Sequence, residues 1–181
     1  MKDRGTLYAG VLLIAFGGLF LVAQLGGALL RPLGIDAGWG ALWPLIVLLV
    51  GFAFWLPLII WWGERDRIAG LVIPGTIISM NGLILLYQNL TGDWDSWTYL
   101  WTLEPFAVGV GLLLLYLLGS RERGLLVGAT IVGGIGMLFF VVFASVFGGV
   151  IRFLGPIVLV AVGVLVLIEG ARRRVAEDGP R

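Results

Sequence analysis

LYAGVLLIAFGGLFLVAQLGGALL, residues 7–30, runs for 24 residues without a charged side chain. A bilayer core about 30 Å thick takes about 20 apolar helical residues to cross, so this stretch suffices for one passage. Its apolar residues are continuous, whereas a lipid-facing barrel strand would alternate; in hydrocarbon the remaining way to pair every backbone N–H and C=O is a helix. Reading outward, the same signal recurs. Spans are expected at Leu7–Leu30, Ala41–Trp62, Ile68–Leu90, Trp101–Leu118, Leu125–Phe147 and Phe153–Ile168. They are separated by Arg31–Gly40, Gly63–Arg67, Thr91–Leu100, Gly119–Gly124 and a glycine-rich break at Gly148–Arg152. The fold class expected is therefore all-α, a polytopic membrane protein with six transmembrane helices.

Composition agrees. Of 181 residues, 60% are apolar and 13% charged, with a mean hydropathy of +1.05; soluble domains average about 45–50% and about 25%. The chain has no His and no Cys. That removes disulfides, thiolate metal sites, Cys nucleophiles, the commonest general base and the usual haem ligand. No catalytic residue, metal site or cofactor is expected, and the chain reads as not an enzyme.

Lys and Arg in short loops are held on the cytoplasmic side. Lys2, Arg4, Arg65, Arg67, Arg121, Arg123, Arg172, Arg173, Arg174 and Arg181 fall on one side of the six-span arrangement, and Arg31 and Arg152 on the other. Both termini are thus expected on the cytoplasmic side of a bacterial plasma (inner) membrane. Met1-Lys2-Asp3-Arg4 ahead of an apolar run resembles a signal peptide, but the run exceeds the usual hydrophobic region; it is read as a transmembrane helix. Trp39, Trp43, Trp94, Trp97, Tyr99 and Trp101 crowd the expected outer interface, and Tyr8, Trp61, Trp62 and Tyr116 the inner one. Such rings form a headgroup belt; an aromatic ligand platform is the functional alternative.

Self-similarity organises the spans. Gly17-Gly18-Leu19-Phe20-Leu21 with Gln24 recurs as Asn81-Gly82-Leu83-Ile84-Leu85 with Gln88, and more weakly as Ile135-Gly136-Met137-Leu138-Phe139. Each even-numbered span opens with a proline, Pro44, Pro105 or Pro156, where the first helical turn tolerates a missing N–H. Three tandem hairpins are expected: 1–66, 67–123, and a divergent 124–181 that ends in a basic cytoplasmic tail.

A Gly-rich odd helix, then Gln24-Leu25-Gly26 or Gln88-Asn89-Leu90, a polar loop, Trp43-Pro44-Leu45 and an apolar run with Gly51 resembles the LiaI-LiaF-like transmembrane region family. The likeness covers Gly10–Gly51, then Gly75–Gly111, and Gly128–Gly163 loosely. It implies membrane hairpins linked to envelope-stress signalling and, in some members, to membrane recruitment of a phage-shock-type protein. A weaker resemblance is to HdeD-like acid-resistance membrane proteins, which also have six spans in three hairpins.

Ionisable residues at depth default to functional hypotheses. Glu104, before Pro105, either sits as an interfacial first-turn acid favoured by the helix N-terminus, or binds a cation or proton, or pairs with Arg31 or Arg152. Asn81, Gln24 and Gln88 are the other candidate polar sites, with Asn89, Ser79 and Thr130 beside them. Helix packing is weighed for them against a solute pathway, since interhelical hydrogen bonds average only about 0.6 kcal/mol. Among 29 glycines, the faces Gly124-xxx-Gly128, Gly75-xxx-Ser79 and Ala144-xxx-Gly148 suit close helix approach or a partner helix. Gly133-Gly134-Ile135-Gly136 lacks the strand and acid of a nucleotide loop. Arg172, Arg173 and Arg174 anchor the tail to an anionic leaflet or meet an acidic partner. Nucleic acid is not an expected partner at net charge +1.

The function expected is a non-enzymatic membrane scaffold or sensor-type accessory in envelope homeostasis. Its partners would be the lipid bilayer, a protein within the membrane or at its cytoplasmic face, and a second copy in a homo-oligomer. An uncoupled transporter or channel-like protein for an uncharged solute, and an accessory subunit of a larger membrane complex, are the alternatives.

Overall fold

The computed structural model describes residues 2–30, 38–119 and 121–148, and beyond them 153, 156–158, 160–161, 163–164 and 167–168. Every regular element among these is helical. In order they are α1 (Lys2–Leu30), α2 (Trp39–Leu42), α3 (Pro44–Ile60), α4 (Arg65–Ile68), α5 (Val72–Thr91), α6 (Trp97–Leu100), α7 (Leu103–Leu118) and α8 (Arg123–Phe147), with 3-10 turns at Trp62–Glu64, Ala69–Leu71 and Trp94–Ser96.

Three stretches are long and apolar enough to cross a membrane: Asp3–Leu29, Trp62–Thr91 and Arg123–Phe147. A fourth joins Trp94–Leu100 to Leu103–Leu118 across a 55° bend. The expected second span is shorter than its apolar run because Pro44, with no N–H to give, opens α3 afresh after α2. It leaves a 17-residue helix, Pro44–Ile60, at the low end of what can span. The expected break at Gly63–Arg67 is itself helical, so Trp62–Thr91 forms a 30-residue path. Of Phe153–Ile168 only scattered positions are described, helical from 156 onward. Arg31, Arg152 and Arg172, Arg173 and Arg174 lie outside the described residues.

Successive long helices pack against each other, α3 on α5 and α7 on α8 most extensively, α5 on α7 next, and α1 on α3 most lightly. The two principal crossings follow one plan. On α3, Gly51 lies against Ser79 of α5, where an added Cβ would come within 2.5 Å of the Ser79 hydroxyl. One turn away, Gly82 of α5 lies under Leu48 of α3, with a Cβ 2.7 Å from its Cγ. On α7, Gly109 abuts the Gly133 backbone of α8, and Gly136 of α8 abuts the Phe106 backbone. Any side chain at Gly109 or Gly136 would overlap main chain, so glycine is what lets α7 and α8 approach. Of the stripe expected at Gly124-xxx-Gly128, only Gly128 faces α7, with a Cβ there 3.5 Å from Leu112; Gly124 meets nothing within 4 Å, because the tightest approach sits further along α8.

Apolar clusters close the bundle at its two ends. Leu58, Ala69 and Val72 gather Trp55, Leu114, Leu115 and Leu118 at one. Ile84, Tyr99, Leu100 and Ala144 gather Met80, Leu103, Phe140 and Phe143 at the other. The first end carries Arg4, Arg65, Arg67, Arg121 and Arg123, and the second the tryptophans.

Candidate functional site

At the tryptophan-rich end, α5 stops at Gly92, whose left-handed φ of +72° lets its N–H reach the Gln88 carbonyl at 2.8 Å. The chain then turns over the helix end. Asp93 accepts from the Ser96 N–H at 3.2 Å, and the Ser96 hydroxyl donates to the Asp93 carbonyl at 2.5 Å. Beneath the turn Gln88 is only 1% exposed. Its amide donates to Ser96 Oγ at 3.2 Å and to the Trp94 carbonyl at 3.5 Å.

The neighbouring Asn89 reaches the opposite way. Its Nδ2 donates to the Gly40 and Ala41 carbonyls, each at 2.9 Å, and its Oδ1 accepts from Trp43 Nε1 at 3.1 Å. The four-residue α2 leaves those carbonyls without helical partners, and Asn89 supplies both its N–H donors to them. Two adjacent amides thus lash α2, the start of α3, the end of α5 and the Trp94–Ser96 turn together.

Glu104 sits in the first turn of α7, after Trp101 accepts its N–H at 3.1 Å. Its Oε1 is buried and has no hydrogen-bond partner among the described residues. The pairing expected with Arg31 or Arg152 lies outside the described residues. Asn81, half-buried beside Gly82, donates weakly to the Ile77 carbonyl one turn back at 3.5 Å. Gln24 is exposed, so the recurring pair Gln24 and Gln88 diverges: a folded-over turn covers Gln88. Thr130 donates to Leu126 O at 2.9 Å on an exposed face of α8. The candidate residues are therefore not brought to one point. They lie along the bundle, each engaged locally except Gln24 and Glu104, for which no side-chain hydrogen bond is seen.

Of the tryptophans, Trp43 gives its indole N–H to Asn89, and Trp101 gives its own to the Thr98 carbonyl at 3.1 Å while packing edge-on to Phe143 at 5.7 Å. Trp39 stacks edge-on with Phe20 at 4.5 Å. Trp94 and Trp97 stay exposed.

The arginine end holds a contact with a clear sequence origin. Pro57 lies inside α3, and a proline cannot donate to the carbonyl four residues earlier, which is that of Ala53. Tyr8 of α1 donates its phenol to that oxygen at 3.2 Å, and its ring lies 6.1 Å from that of Trp61. Tyr8, Pro57, Trp61, Glu64 and Ile68 line a cleft of about 380 Å³. Beside it the Arg65 guanidinium lies over the Trp62 ring, 4.9 Å from its centre, a cation–π contact. A second groove, about 340 Å³, follows the α7 and α8 crossing past Phe106, Leu113, Thr130 and Gly134.

Sequence reasoning named Asn89 only as one polar residue among several and gave Tyr8 only a place in the belt. A proline four residues beyond an acceptor is a readable signal for the Tyr8 bond. The reach of Asn89 to a segment 46 to 49 residues away has no local signature.

Compared with models of known families, with characterised proteins and with solved structures, the chain matches none.

Proposed function

We propose that the chain is a non-enzymatic integral membrane protein of the bacterial plasma membrane, a scaffold or sensor-type accessory in envelope-stress homeostasis. It crosses six times as three hairpins, with both termini cytoplasmic. The observation that carries the reading is the uncovered apolar surface of α1 and α8: only 6% and 11% of their spanning windows are buried. Such faces meet lipid or other membrane helices. The use of Gln88 and Asn89 as internal fasteners supports the same reading, since these polar groups hold segments together instead of converging on a solute. The resemblance to the LiaI-LiaF-like hairpins supplies the envelope-stress role.

Single cysteines at Thr91 and Glu122, in a chain with none of its own, test the topology: the first should label from outside and the second from inside. Labelling of both from one side overturns it. Crosslinking in native membranes, followed by identification of what is captured, tests the role. A defined protein partner supports the scaffold; recovery of self-crosslinks alone overturns the hetero-partner part of the reading.

A further inference from the structure

The two principal crossings leave a third set of matching parts unused. In each, the first helix of the crossing, α3 or α7, presents a bulky residue three positions before a glycine, Leu48 and Gly51 or Phe106 and Gly109. The long helix packed on it, α5 or α8, presents a small residue three positions before a glycine, Ser79 and Gly82 or Gly133 and Gly136. The bulky residue covers the second helix's glycine, and the first helix's glycine meets the small residue. The register is antiparallel and identical in both.

Gly18 holds the place in α1 that Gly82 and Gly136 hold in the recurring motif, and three positions before it stands Ala15. Yet Gly18 is exposed and a Cβ there would meet nothing within 4 Å. The bulky half also exists. Val160 and Gly163 follow Pro156 by four and seven residues, the spacing of Leu48 and Gly51 after Pro44. Val160 is 66% exposed and Gly163 likewise has nothing within 4 Å of a Cβ. Both halves of one crossing are thus present; among the described residues nothing covers Gly18, Val160 or Gly163, and Ala15 is half-buried.

We propose that a second copy of this chain completes the crossing: Val160 of one copy seats on Gly18 of the next, and Gly163 on Ala15, in a head-to-tail contact. The inference deepens the scaffold reading and rests on its homo-oligomeric form. Because the two patches differ, the contact is heterologous and can extend from copy to copy or close into a ring.

The test uses the full chain in its native membrane. Gly18→Cys and Val160→Cys are placed on separately tagged copies and oxidised. Val158→Cys, turned about 160° from Val160 at about 100° per residue, is the control. The expected result is a disulfide-linked mixed dimer from 18 with 160 and little from 18 with 158. Equal crosslinking at both positions overturns the proposal. So does a disulfide confined to one chain when both cysteines share it, with no mixed dimer. As a second measurement, Gly18→Leu should raise the dissociation constant of the detergent-solubilised oligomer about tenfold or more by overfilling the crossing, with helix content unchanged. An unchanged oligomer mass overturns the proposal. Either negative result leaves capture of a different partner possible, so failure here is distinguishable from failure of the scaffold reading.

Discussion

Tyr8 of α1 donates its phenol to the carbonyl of Ala53 in α3, 3.2 Å away, and that carbonyl is the one Pro57 leaves without a helical N–H. A helix defect and a neighbouring hydroxyl therefore correct each other.

Replacing Tyr8 by Phe should lower stability by about 0.6–1.5 kcal/mol, read as the unfolding midpoint in detergent. Restoring the helical donor with Pro57→Ala should make the Tyr8→Phe change nearly silent. If Tyr8→Phe costs as much in the Pro57→Ala background as in the parent chain, the bond is not responding to the proline.

Asn89→Ala removes three hydrogen bonds and strands the Gly40 and Ala41 carbonyls. A loss of about 1–3 kcal/mol is expected, greater than that of Trp43→Phe, which removes one donor. Limited proteolysis should cut the Trp39–Leu42 segment faster in the Asn89 variant, and an unchanged cutting rate would count against the latch.

Glycine substitutions should divide by position. Gly136→Leu drives a side chain into the Phe106 backbone of α7 and should cost about 1–3 kcal/mol or prevent folding. Gly124→Ala fills open space and should be neutral or gain up to about 1 kcal/mol through helix propensity. Thermal melts of the two in one detergent decide it; equal losses would mean that the crossing is elsewhere.

Glu104→Leu tests a buried oxygen that has no donor among the described residues. Removing an unsatisfied buried acceptor should raise stability by about 1 kcal/mol. A loss instead would reveal a donor, and a double-mutant cycle with Arg31→Gln would then ask whether Arg31 supplies it.

The helical character of the chain is legible in residues 7–30 and in the other uninterrupted apolar runs, because run length and lack of alternation are local properties. Breaks were less legible. The Gly63–Arg67 stretch looks like a loop by composition, yet charged residues at a helix end cost nothing where water is near, and the helix continues through them. The crossings show a different limit. Glycines are visible in sequence, but Gly124 and Gly136 look alike until α7 is placed beside one of them; which face is used depends on the partner's bulk, here Phe106. Of the candidate site, Gln88 was marked by its recurrence with Gln24, whereas its burial depends on a turn made by Asp93 and Ser96 that α1 has no described counterpart for.

The light attachment of α1 gives the molecule an order of undoing. α1 touches the rest near one end through Tyr8 and further along through Phe20 against Trp39, with only 6% of its spanning window buried. The helices from α3 to α8 are bound to each other by glycine-tight crossings and two apolar clusters. A pull on the amino terminus would peel α1 away first, at low force, while that kernel stays closed. During synthesis the same asymmetry works in reverse: the first helix enters the membrane early and waits there, loosely held, until the later ones have locked.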